Sequence, residues 1–433
     1  MRFLLRIKDE TCPPIGRRGL KIFHAMKVLI FTTAYLPFVG GAELAIREIT
    51  DRLPEVSFTL ITARFSRKVP RHERIGNVEV YRVGLGVPFD KWLLPWLGFW
   101  KAERLEKKRH FDLIWSMMAS QASVSATWFK KLHQDKKLVL TLQEGDEEAH
   151  LKRYVFGNEF LYRLFIRPWH TGVFKQADVI TAISHYLAER ARRNSSAKVE
   201  VIPNGVDVGR FKKQDAGFKK EELRRKLGIH EDERIMITVS RLVKKNGIGD
   251  LIEAMRFLPE NVKLLILGSG SLEKSYNLKA KSYKLENKVI FLGYIPHEQL
   301  SHYLHIADIF CRPSLSEGMG SAFLEAMAAG VPVVATSVGG IPDFLFAPLP
   351  DSEEGRYLFA NSRELANSWG ERITGLFCKT GDPKDIAKKV QVLLLNEVLR
   401  KRIIANASTL VREKYGWDGI AEKMKAVFGS SDA

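Results

Sequence analysis

The chain has 433 residues, 45% hydrophobic and 27% charged, with 68 Lys and Arg against 50 Asp and Glu for a net charge of +18. That length exceeds one ordinary core and fits two domains of roughly 200 residues each, and no uncharged apolar run reaches the roughly 18 residues a membrane span needs. Three distant cysteines, Cys12, Cys311 and Cys378, lack CxxC or His-x-His spacing, which gives no disulfide framework and no zinc site and fits a reducing cytoplasm.

Residues 1–25 carry scattered charges and Pro13-Pro14 without the apolar core of an export signal, and read as an extension upstream of a start at Met26. From Met26 onward, apolar runs of strand length alternate with amphipathic helix-length segments, the pattern of an α/β chain with parallel sheets covered on both faces. The first half predicts strands at 26–33, 58–64, 78–83, 112–117, 138–143, 178–183 and 199–202. Gly40 and Gly41 after the first strand read as a tight turn opening a helix. Trp92, Trp96 and Trp100 recur at i, i+4 and i+8, the spacing of a buried helix face, although Pro95 interrupts a regular helix; the alternative for this aromatic, Lys-flanked stretch is an anionic membrane surface. Counting residues 1–208 gives 34 basic against 22 acidic side chains, which suggests an anionic partner for the first half.

Pro203-Asn-Gly-Val-Asp207 and the charged stretch 210–226 read as an exposed connection, placing a domain boundary near 208. The second half repeats the grammar, with strands at 234–240, 262–268, 289–293, 308–312, 332–336 and 375–378. Residues 347–372 break the rhythm and read as an inserted loop, and 383–428 read as helices broken near Tyr415-Gly-Trp417.

The densest chemistry lies in 312–330. A strand ends at Arg312-Pro313, a loop holds Glu317, Gly318, Met319 and Gly320, and a helix begins near Gly320. The amides of Ser321 and Ala322 then have no partner within the helix, and the glycines let a diphosphate approach them closely. Glu325, about one turn in, is placed for ribose hydroxyls and Glu317 for the sugar side of the same diphosphate. Two carboxylates beside a phosphate site favour a ligand with hydroxyls for each, hence a nucleotide sugar over a bare phosphate. Arg241 and Lys245 follow the strand 234–240 directly, where fixed cations can neutralise a leaving diphosphate. No Asp-x-Asp pair suggests a metal, and no cofactor is expected.

Several motifs together are similar to the retaining glycosyltransferases of family 4, which have the GT-B fold. They are Gly40-Gly-Ala-Glu43, Ala177-Asp-Val-Ile-Thr-Ala-Ile-Ser184, Val201-Ile-Pro-Asn-Gly-Val-Asp207, Ser240-Arg-Leu-Val243 and Glu317-Gly-Met-Gly-Ser-Ala-Phe-Leu-Glu325, running on to Ala335. The resemblance implies two Rossmann-like domains facing a cleft, an acceptor-binding one over 26–208 and a nucleotide-sugar-binding one over 209–433 whose last helices pack back on the first. It implies retention of configuration and no required metal. By position, Glu317 would bind the donor sugar, Glu325 the ribose, Arg241 the diphosphate, Ser321 and Ala322 the distal phosphate, and Tyr294-Ile295 the base.

Two positions depart from the family pattern. Asn246-Gly247 stands where Lys-Gly is usual, leaving Lys245 as the nearby cation, and Gln143 stands where a histidine is common. Gln143 can hydrogen-bond a hydroxyl but cannot act as acid or base. With Asn204, Gly40 and Gly41, it completes the candidate donor-binding set.

The expected activity is transfer of a hexosyl unit from a nucleotide-diphosphate sugar to an acceptor hydroxyl, catalysed with Glu317, Arg241 and Lys245. The expected acceptor is a glycan or lipid-linked glycan of the cell envelope, and the expected location the cytoplasm, peripheral on the inner face of the membrane. The alternative is a nucleotide-sugar-binding protein of the same fold with little transferase activity. No nucleic-acid motif accompanies the basic charge, so nucleic acid is not expected as a partner.

Overall fold

A computed structural model of the chain describes residues 26–38, 40–143, 158–161, 167–212, 219–346 and 373–430. The expected extension at 1–25 and insertion at 347–372 lie outside the described residues.

Two sheets organise the described residues. The first holds β1 (Lys27–Phe31), β2 (Ser57–Ala63), β3 (His72–Ile75), β4 (Val78–Val83), β5 (Leu113–Met117), β6 (Lys137–Leu142), β7 (Val179–Ala182) and β8 (Lys198–Val201), in the order β3-β4-β2-β1-β5-β6-β7-β8. The second holds β9 (Arg234–Val239), β10 (Val262–Leu267), β11 (Val289–Gly293), β12 (Ile309–Arg312), β13 (Val333–Thr336) and β14 (Leu376–Cys378), in the order β11-β10-β9-β12-β13-β14. Pairing is parallel throughout, except that β3 runs antiparallel to β4. The strands expected from apolar runs are all present, because a parallel strand covered on both faces must be apolar along its length. β3 is the exception. Its residues, His72-Glu-Arg-Ile75, carry no apolar run because an edge strand faces water and charge there discourages further pairing.

Each sheet has one switch point. In the first the chain leaves β1 toward β2 on one side and returns to β5 on the other; in the second the same reversal separates β9 from β12. At such a point the loops beyond the strand ends diverge and leave a crevice.

Two expectations are corrected. The helix Asp90–Arg109 runs unbroken through Pro95, and Trp96 and Trp100 are 58% and 61% exposed. The opposite stripe, Leu94, Gly98 and Ala102, is the buried one. Gly98 explains the choice, since a β-carbon there would lie 2.7 Å from Ser125 Oγ on the neighbouring helix Gln121–Leu132. The start of the connection, 203–207, is not exposed either: Asn204 and Val206 are buried, and Val206 N donates to Tyr415 O at 2.8 Å, whereas Glu221, Glu222, Arg225 and Lys226 further along are exposed as expected. A β-carbon on Gly205 would meet the Trp417 ring at 2.7 Å, so the two chain crossings between the sheets pack side by side. The last helix, Trp417–Gly429, lies on the first sheet's core, where Trp417, Met424 and Phe428 join Val28, Ile30 and Ile46.

Cys311 and Cys378 are free and buried, and burial pushes both thiols up from their ordinary range. Among the described residues, no helix is long and apolar enough to cross a membrane.

Candidate functional site

The loops after β9 and β12 flank the second switch point. After β9 come Ser240-Arg241, the short turn Lys244–Asn246 and Gly247; after β12 come Pro313 to Gly320. Leu315 N donates to Lys245 O at 2.7 Å, which sets Lys245 against the loop that carries Glu317. Gly247, at φ +69°, has its α-carbon so close to Pro313 that a β-carbon would lie 1.9 Å from the Pro313 carbonyl oxygen. Only glycine allows the two loops to approach this way.

Asn246 accounts for the missing lysine at its own position. It is 6% exposed and its amide donates to Arg241 O at 2.7 Å, so it holds the turn that carries Arg241. The Arg241 side chain is exposed.

Arg312 decides where Glu317 points. This guanidinium, 6% exposed, donates to Val239 O at 3.1 Å and to Glu317 Oε2 at 2.5 Å, and stacks 4.3 Å over the Phe323 ring. It thereby ties the end of β9 to the loop after β12 across the switch point. The sequence marks Arg312 only as the end of a strand; the available signal is a charge closing an otherwise apolar strand.

The helix Ser321–Ala328 opens from Gly320, whose φ of +88° is unfavourable for any side chain. A β-carbon there would also lie 2.5 Å from Arg312 Nη2. The Ser321 and Ala322 amides head this helix, where the dipole favours an anion. Met319 is 1% exposed and packed in the core, so its side chain anchors the loop and only a main-chain contact to a ligand is open to it. Gly318 is buried as well.

Behind the loop stands a second glycine pair that sequence reasoning did not single out, although it follows β13 much as Gly40-Gly41 follow β1. Gly340 N donates to Glu317 O at 3.3 Å, and a β-carbon on Gly339, at φ +56°, would lie 1.8 Å from that same oxygen. Gly340 is also wedged between Gly318 O and Ser184, and His185 N donates to Asp343 Oδ2 at 2.7 Å, so the first domain meets the second just behind the Glu317 loop. Gly339→Ala is therefore expected to cost at least about 2 kcal/mol, because the contact is with backbone that cannot swing aside. A denaturant midpoint equal to wild type would refute that.

Glu325 is 7% exposed and its Oε1 lies 2.9 Å from His297 Nε2. Tyr294, 63% exposed, and Ile295 follow the edge strand β11, one turn before His297. In the first domain Gln143, at the end of β6, and Asn204, after β8, exchange amide hydrogen bonds of 2.8 and 2.7 Å. Gly40 caps the helix Gly41–Asp51 beyond β1 with extended backbone, φ −138°, so its turn does not require glycine conformationally. The structure thus brings Glu317 together with the Lys245 main chain and Gln143 with Asn204.

Among the described residues no group of three His, Cys, Asp or Glu side chains is arranged to hold a metal ion. The model of the glycosyl transferases group 1 matches residues 219–346, over the second sheet and this loop. That of glycosyltransferase family 4 matches residues 39–210, over the first. The chain belongs to the group 1, family 4 glycosyltransferases. As a family 4 chain it is 27% identical over 420 residues to an uncharacterized glycosyltransferase of Methanocaldococcus jannaschii, covering 93% of this chain and 98% of the relative. It is 25% identical to a GDP-mannose-dependent monoacylated alpha-(1-6)-phosphatidylinositol monomannoside mannosyltransferase of Corynebacterium glutamicum, covering 93% and 98%. The Anabaena protein HepE, solved with UDP-glucose, superposes with a TM-score of 0.71 at 18% identity over 94% of this chain and all of that one. The GT-B architecture and the glycosyltransferase class expected from the motifs are both borne out.

Proposed function

We propose that the chain is a retaining, metal-independent hexosyltransferase that draws on a nucleotide-diphosphate sugar and builds a cell-envelope glycan or glycolipid. The observation that carries this reading is the convergence at one switch point of the Arg241–Lys245 loop, the Arg312-anchored Glu317 and the head of the Ser321 helix. The diphosphate would lie against the Ser321 and Ala322 amides with Arg241 and Lys245 opposing its charge, Glu317 would accept from donor-sugar hydroxyls, and Glu325 would take the ribose. The acceptor oxygen attacks the anomeric carbon on the face the phosphate leaves. The bond from that carbon to the phosphate oxygen breaks as the bond to the acceptor forms, and the departing phosphate oxygen takes the acceptor proton. Retention is supported by the family resemblance, and front-face attack rather than a covalent intermediate by the absence of an obvious nucleophile among the candidate residues.

Proton NMR of the product tests this. The anomeric coupling of the transferred sugar should match the donor, in a reaction undiminished by EDTA; an inverted product contradicts retention, and a chelator-sensitive rate contradicts metal independence. Nucleotide-sugar binding with neither transfer nor donor hydrolysis would establish the non-transferring alternative instead.

A second observation favours a membrane-bound acceptor. Trp96, Leu97 and Trp100 are exposed on the helix Asp90–Arg109, as is Phe89 at its N-cap, and the helix also carries exposed Arg104, Lys107 and Lys108. Aromatic rings beside cations suit the headgroup region of an anionic bilayer. Sedimentation with vesicles of 30% phosphatidylglycerol should fall at least about fivefold in Trp96→Ala/Trp100→Ala, in keeping with two lost interfacial anchors. Equal sedimentation of variant and wild type would remove this reading.

A further inference from the structure

The contact between Glu325 and His297 continues beyond the site. The Nδ1 atom of His297 lies 3.0 Å from Arg210 Nη1, on the short helix Val208–Lys212 that follows the crossing from the first domain. Arginine has no acceptor, so its N–H donates and Nδ1 must be the unprotonated nitrogen. Nε2 then carries the proton and donates to Glu325 Oε1 at 2.9 Å. Arg210 is itself held near the helix start, where its backbone N–H donates to Asp207 Oδ1 at 3.0 Å. The fully buried Phe211 ring packs edge-on against the imidazole at 5.7 Å. The ring is thus fixed from both sides, and one oxygen of Glu325 is fixed with it.

We propose that His297 and Arg210 are positioning residues for the Glu325 carboxylate: Arg210 sets the ring and its tautomer, the ring holds one carboxylate oxygen, and the other is presented to the ribose diol. This rests on the reading that Glu325 binds the ribose, and a ligand series separates the two. A carboxylate free to rotate loses part of each hydrogen bond it makes, whereas one held at one oxygen offers the second at a fixed angle.

The experiment measures competition by UDP and GDP, each against its 2′,3′-dideoxy counterpart, with donor KM and kcat for the better base. Wild type should prefer the ribose form by about tenfold or more, the worth of hydrogen bonds to a charged group. Glu325→Ala should abolish the preference. His297→Leu should shrink it to within about threefold and raise donor KM with a smaller change in kcat, while His297→Gln, which can donate to Glu325 and accept from Arg210, should restore it. Arg210→Met leaves the ring in place and should move the preference the same way by a smaller factor; it decides the matter should His297→Leu fail to fold. No preference in wild type would overturn the ribose reading itself. A preference lost in Glu325→Ala yet intact in His297→Leu or Arg210→Met would overturn the positioning role alone.

Discussion

Glu317→Gln should lower kcat/KM by about 10²- to 10³-fold and leave the melting temperature close to wild type. A carboxylate that accepts from donor-sugar hydroxyls as positive charge develops at the anomeric carbon contributes on this scale, and the amide cannot supply its charge. The glutamine still offers an oxygen to Arg312, which is why it separates chemistry from folding. Glu317→Ala does not: it strands the buried Arg312 guanidinium, whose Nε already lacks a partner, and should destabilise the protein by about 3 kcal/mol. Denaturation paired with initial-rate kinetics checks both variants. A fully active Glu317→Gln would remove Glu317 from the donor site, and an Ala variant as stable as wild type would remove the Arg312 pair from the account of the loop.

Arg241→Ala should lower kcat by about 10²-fold or more, since stabilising a departing diphosphate matters most when its charge is greatest. Its side chain is exposed, so the fold should be unaffected. Lys245→Ala should lower kcat in the same direction if the cation has moved one place along the loop, and the two losses should not add, because both groups act on one diphosphate. Rates in Lys245→Ala equal to wild type would leave Arg241 as the cation of this loop and end the displaced-lysine reading.

Much of this was legible before the structure. The strands were visible because sheets buried on both faces demand unbroken apolar runs, and the Glu317 loop because glycines, a strand end and a strong helix former coincide within ten residues. The rest carries no decisive sequence signal, for a physical reason in each case. β3 is a charged edge strand and carries no apolar pattern. Trp92, Trp96 and Trp100 share a spacing that fits a buried or an exposed face, and the small side chains of Gly98 and Ala102 decided which stripe packs inward. Arg312 and His297 act through partners far along the chain, at Val239 and Glu317 for one and at Arg210 and Glu325 for the other; a lone arginine or histidine gives no sign of such partners. Asn246 looked like a lost cation, whereas it is the residue that bonds the Arg241 carbonyl.

The two glutamates divide the donor between them in this account, with Arg241 on the diphosphate between. Calorimetric titration of the wild type with UDP- and GDP-hexoses, repeated on Arg241→Ala and Glu325→Ala, tests most directly whether the donor lies at this site. At least one of these donors should bind, and each substitution should weaken it by about tenfold or more, the expected cost of a charge-assisted contact. Wild-type affinity retained in both variants would place the donor elsewhere and contradict this assignment.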